Sequence, residues 1–241
     1  MKDKKIIINL FFTVIILFVI QFFASNLGSI VASLFNYTAI DKDNVFMKIA
    51  VHHIIQMLVA LLIIFIIGKT KNIKFNLKPK INSVGVKYTI VFSVIIFIYV
   101  IISYLIGCKT NSISPSEYEL NMVNVLGTLG FQLFLSGTSE EILFRALPIN
   151  ILERVLCEKK RKNQKFEIIT AAILFSLAHI TWTFNPISCS FNVFQLIYAF
   201  ILGLVYGITY TKSKSIVYPA IMHGMSNFFM VGIGYIFQIL I

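Results

Sequence analysis

Ser139-Glu140-Glu141-Ile142-Leu143-Phe144-Arg145 places two carboxylates and a guanidinium in the middle of an apolar helical run. An ionisable side chain in hydrocarbon costs at least ~2.5–3.5 kcal/mol on insertion scales, so three of them in a membrane segment mark a functional site by default. At about 100° per residue, Glu141 and Arg145 stand at i,i+4 on nearly one face, with the carboxylate on the favourable N-terminal side. Glu140 points roughly a quarter-turn away. The spacing predicts an internal ion pair between Glu141 and Arg145 and leaves Glu140 free for chemistry. The same three charges also suit one buried structural network, as in a transporter or a channel gate.

The surrounding sequence reads as scaffold for these charges. The chain has 241 residues, of which 58% are hydrophobic and 13% charged, and a mean hydropathy of +0.86. That composition excludes an ordinary soluble domain and predicts an all-α, polytopic transmembrane helix bundle of about seven to eight spans, forming one integral-membrane domain. The net charge of +11 does not point to nucleic acid, because the basic residues alternate with apolar runs instead of gathering on one soluble module. The lipid bilayer is the expected partner. Cys108, Cys157 and Cys189 are odd in number and lack a C-x-x-C pattern, so they read as free thiols.

Apolar runs are expected at about 6–34, 46–68, 88–107, 122–152, 168–184, 193–210 and 216–241, the last with a break near Gly232 and Gly234. The first reads as an uncleaved signal anchor, since no small-x-small cleavage site follows it. Lys2, Lys4 and Lys5, the basic stretch 69–87, the stretch 153–167, and Lys212 with Lys214 then fall on one side of the membrane. The positive-inside rule makes that side the cytoplasm and places the amino terminus there, in a multi-pass protein of the cell membrane. Gly203 and Gly207, at i,i+4, are read as packing devices. His52 and His53, near the start of the second run, read as an interfacial or packed pair, because no carboxylate sits at helical spacing from them.

Two late runs carry further polar residues. Phe175-Ser176-Leu177-Ala178-His179 supplies one histidine, and His223-Gly224-Met225-Ser226-Asn227 puts His223 and Asn227 on one helix face. Two histidines, a free glutamate and an amide on three separate helices form a joint candidate site suited to hydrolysis. Glu140 is the expected general base toward water, His179 helps position that water, and His223 with the Asn227 amide donates to the developing oxyanion. Two histidines and a carboxylate with an open position could instead hold Zn²⁺, with Glu140, His179 and His223 as ligands, although no H-E-x-x-H is present. The cofactor stays open at this level, with the metal-free glutamate mechanism favoured. No G-x-S-x-G elbow supports serine catalysis at Ser139 or Ser176.

Taken together, Glu140-Glu141-x-x-x-Arg145, Phe175-x-x-x-His179 and His223-x-x-x-Asn227 resemble the three-motif signature of the CAAX-protease and bacteriocin-processing (Abi) family of intramembrane proteases. The resemblance covers about residues 135–228 and places a protease core at about 122–241. It implies an all-helical intramembrane endopeptidase, with Glu140 as the catalytic glutamate, Glu141 and Arg145 as its motif partners, and His179, His223 and Asn227 as the polar partners. Members are commonly called metalloproteases, and a metal-free glutamate mechanism is also proposed for eukaryotic relatives. Ala146 departs from the glycine that often follows the arginine. The implied substrate is a membrane-associated protein or peptide, in prenyl-protein processing, bacteriocin immunity or peptide maturation. A non-enzymatic immunity or scaffolding protein and a proton-coupled transporter are the competing readings.

Overall fold

The protein is described here by a computed structural model, covering residues 2–156, 164–184 and 186–240. Three long apolar helices come first: α1 (Lys2–Ala32), α2 (Met47–Lys71) and α3 (Ser83–Lys109). Their ends follow from local polar chemistry. The Asp41 carboxylate accepts the N–H groups of Val45, Phe46 and Met47 at 2.8, 2.8 and 2.7 Å, which satisfies orphan donors and places negative charge at the positive end of α2. Asn72 ends α2 in the left-handed region, and the Asn82 side chain caps α3 by accepting from the Gly85 N–H at 2.7 Å.

The run carrying the charges is helical from Met122 to Leu156 but is not one regular α-helix. It comprises α4 (Met122–Gly130), a π-helical turn (Phe131–Ser136), α5 (Gly137–Glu141), a second π-helical turn (Ile142–Ala146) and α6 (Leu147–Leu156). Wide π turns inside helices concentrate at functional sites, and these two bracket Glu140 and Glu141 directly. Beyond it lie α7 (Lys165–Leu177), a hairpin of β1 (Thr181–Phe184) and β2 (Ile187–Ser190), then α8 (Val193–Ser213) and α9 (Val217–Leu240). The helices α1, α2, α3, α8 and α9 are long and apolar enough to cross a membrane, five in all among the described residues. The expected count of seven to eight thus exceeds the helices that meet this criterion, because the charged run is interrupted and α7 is short.

Two other expectations change. The fifth apolar run was expected to stay helical to residue 184, but α7 stops at Leu177 and the alternating Thr181-Trp182-Thr183-Phe184 pairs as a strand, in keeping with its β-branched and aromatic content. The last run is unbroken through Gly232 and Gly234. Cys157 and the basic residues Lys159, Lys160, Arg161 and Lys162 lie outside the described residues.

Packing places α1 on α2, α3 on α9 and α7 on α8, with α5 and the first π turn against α9. The last contact is made backbone to backbone. A Cβ on Gly137 would meet the Ala220 carbonyl oxygen at 2.6 Å and the Gly224 nitrogen at 2.7 Å; a Cβ on Gly224 would meet the Leu133 carbonyl oxygen at 2.4 Å. Only glycine permits this approach, and it brings His223 beside the two glutamates. Gly203 and Gly207 let α8 close on Ala172 and Ile168 of α7.

Candidate active site

Glu141 and Arg145 form the pair that their spacing predicts: Arg145 Nη1 lies 2.9 Å from Glu141 Oε1, and neither side chain is exposed. His223 Nδ1 reaches the same oxygen at 2.8 Å. Facing a carboxylate, that nitrogen is the donor. The Arg145 guanidinium also lies over the Phe175 ring at 4.0 Å and near Tyr206 at 5.3 Å, so ring faces supply the attraction that its other nitrogens lack in hydrogen-bond acceptors. Tyr206 stacks on the His223 ring at 5.2 Å and hydrogen-bonds Ser226, whose hydroxyl donates to the His223 carbonyl at 2.9 Å. Glu141, Arg145, His223 and Tyr206 therefore form a closed knot.

Glu140 stands differently. Its side chain is 19% exposed, and each of its oxygens faces an imidazole Nε2 at 3.7 Å: Oε1 toward His53 and Oε2 toward His223. That is too long for a hydrogen bond. The carboxylate has charged or polar neighbours on both sides and bonds to neither.

The other expected residues are gathered to different degrees. Asn227 lies one turn beyond His223, where its Nδ2 donates to Ser136 Oγ at 3.0 Å, which leaves a second amide hydrogen for another acceptor. His179 sits just past the end of α7, and its Nδ1 donates to the Phe175 carbonyl at 2.9 Å, taking up one of the orphan acceptors of the helix end. Its ring meets Phe175 edge-on at 4.9 Å and interacts with the Glu140 charge, but makes no ion pair or hydrogen bond with it.

His53 corrects the reading of a merely packed pair. It stacks edge-on with His52 at 5.2 Å, as a packed pair would, but its Nδ1 also lies 2.8 Å from Ser139 Oγ and its Nε2 faces Glu140. No sequence pattern links residue 53 to residue 140. The one available signal was chemical: two adjacent histidines within an apolar span carry the same cost that singled out Glu140.

The three residues expected to hold Zn²⁺ do not converge as a ligand set: among the described residues, no group of three or more histidine, cysteine or carboxylate side chains is placed to hold a metal ion. Glu140 and His223 stand 3.7 Å apart, and His179 makes no ion pair or hydrogen bond with Glu140.

In this multi-pass helical membrane protein, the carboxylates of the interrupted helix thus face imidazoles from α2 and α9. Residues 122–229 match the family model described as Rce1-like, type II CAAX prenyl endopeptidase, a CAAX-type intramembrane protease family and the one that the three motifs resemble. No curated protein and no solved structure gives a significant match.

Proposed function

We propose that the chain hydrolyses a peptide bond of a membrane-associated protein or peptide by glutamate-activated water. The observation that carries this reading is the contrast between two adjacent carboxylates: Glu141 is fully buried and its Oε1 is paired at 2.8 and 2.9 Å, whereas Glu140 is partly exposed and stops 3.7 Å from both imidazoles. A glutamate needed only for structure would close on its partners as Glu141 does.

In this mechanism Glu140 takes a proton from water as the water oxygen bonds to the scissile carbonyl carbon. The negative charge that develops on the carbonyl oxygen is met by the second Asn227 amide hydrogen and by His223, whose Nε2 donates when both ring nitrogens carry a hydrogen. Glu140 then returns the proton to the amine nitrogen as the C–N bond breaks, which restores the carboxylate and releases an acid and an amine. His179, near enough to feel the Glu140 charge, lines the approach for water. Glu141 and Arg145 hold His223 in register.

The family resemblance supports a lipid-bound substrate with a carboxy-terminal cysteine motif, or else a peptide in bacteriocin immunity or peptide maturation; the basic stretches support an amino terminus in the cytoplasm. The test uses purified full-length protein in detergent with two quenched fluorogenic peptides. Both end in cysteine, two aliphatic residues and a final residue, and one carries an S-prenyl group. Cleavage by the wild type that persists after metal chelation and disappears in Glu140→Gln is the expected result. Equal signals from wild type and Glu140→Gln would sink the reading.

A further inference from the structure

His53 lies on α2, outside the matched residues 122–229, yet its imidazole is held at the reactive carboxylate more directly than that of His179. Its ring cannot easily turn away. Phe131 and His52 meet it edge-on at 5.0 and 5.2 Å, and the residue is 6% exposed.

The hydrogen bonds point to one tautomer. Ser139 Oγ lies 2.9 Å from the Ser136 carbonyl, to which it can only donate, and 2.8 Å from His53 Nδ1; with its one hydrogen on the carbonyl it is an acceptor toward Nδ1. In that tautomer Nδ1 carries the hydrogen, and Nε2 presents a lone pair to Glu140 Oε1 across 3.7 Å. Two acceptors cannot bond to each other. A molecule with two hydrogens, placed beside both, can donate one to each.

We infer that His53 is a further catalytic residue of this protein, its Nε2 accepting one hydrogen of the water whose other hydrogen Glu140 Oε1 removes. The inference rests on the hydrolytic reading above and adds to it the group that orients the nucleophile. With both hydrogens directed to Oε1 and Nε2, a water lone pair is left to point away from the carboxylate, toward the carbonyl carbon. The proton goes to Glu140 as before, and His53 keeps its own. Ser139, adjacent in sequence to the base, ties the two groups to one another, so α2 and α5 must pack correctly for the water to be held.

The experiment uses the full chain and the same quenched peptides, with His53→Asn and His53→Ala compared with wild type and Glu140→Gln. His53→Asn keeps a donor at the place of Nδ1 toward Ser139 but has no acceptor at the place of Nε2. It is expected to lower kcat by about 100-fold while KM stays within about twofold, the scale of a misplaced reactant. Added imidazole is expected to restore part of the activity of His53→Ala and none of that of Glu140→Gln, a rescue that a purely structural histidine would not give. His53→Asn with kcat within about threefold of wild type overturns the inference and leaves the protease reading standing. A wild type that cleaves neither peptide sinks that reading and this inference with it. If neither variant folds, ¹⁵N NMR of the histidines in wild-type protein decides: His53 protonated at Nδ1 supports the assignment, and protonation at Nε2 alone overturns it.

Discussion

The two sides of one helical turn treat identical side chains in opposite ways. On the Glu141 side, an arginine and a histidine, each backed by an aromatic ring, close on a carboxylate with no exposed surface. On the Glu140 side, two imidazoles approach to the same 3.7 Å and stop. Both sides pay the cost of taking charge out of water, but only the first recovers it through direct pairing. On the proposed reading, the difference separates support from chemistry: the closed knot fixes His223, and the open gap leaves Glu140 with space for a reactant.

The comparison can be broken by experiment at several points. Glu140→Gln should remove cleavage by about 1000-fold or more while the protein still inserts and melts as the wild type does, since the change preserves shape and removes the base. A large loss of folded protein would mean that Glu140 is structural after all. Glu141→Gln or Arg145→Ala should instead lower stability by ~3–5 kcal/mol, because either leaves a buried partner unpaired. Thermal unfolding in detergent reads this, and an unchanged midpoint would dissolve the distinction between the two sides.

Gly224→Ala should destabilise by ~1–3 kcal/mol through the clash with the Leu133 carbonyl, and lower kcat by moving His223 relative to both glutamates. Stability and kcat both at wild-type levels would show that the crossing of α5 and α9 does not set the site. Ser139→Ala has the smallest expected effect: it removes two neutral hydrogen bonds of ~1 kcal/mol each, of which only the one to His53 reaches the site, so kcat should fall by no more than about tenfold, with KM unchanged. A KM effect in its place would move Ser139 into substrate binding.

Much of this arrangement was legible because it is local. The apolar runs gave α1, α2, α3, α8 and α9, and the i,i+4 rule gave the pair Glu141 and Arg145, since both depend only on residues near one another in the chain. His223 and Asn227 were placed on one face for the same reason. What escaped was set by tertiary packing. The π turns that bracket Glu140 have no sequence signature, and the contact between His53 and Ser139 joins residues 86 positions apart. His179 was read as a residue within a span because its flanks are apolar, but the strand-forming Thr181-Trp182-Thr183-Phe184 ends the helix before it. Asn227 was expected to donate to the developing oxyanion. One of its hydrogens goes instead to Ser136, a residue 91 positions away that none of the three motifs includes.

The crossing at Gly137 and Gly224 has a consequence for how the protein can vary. Every other amino acid begins with the same Cβ, and at these positions that first carbon already meets main-chain atoms of the neighbouring helix at 2.4 to 2.7 Å. The ordinary notion of a conservative replacement therefore has no meaning there: alanine meets the same backbone obstacle as tryptophan. A lineage that changed either glycine would first have to draw the two helices apart, and in doing so would carry His223 away from both glutamates.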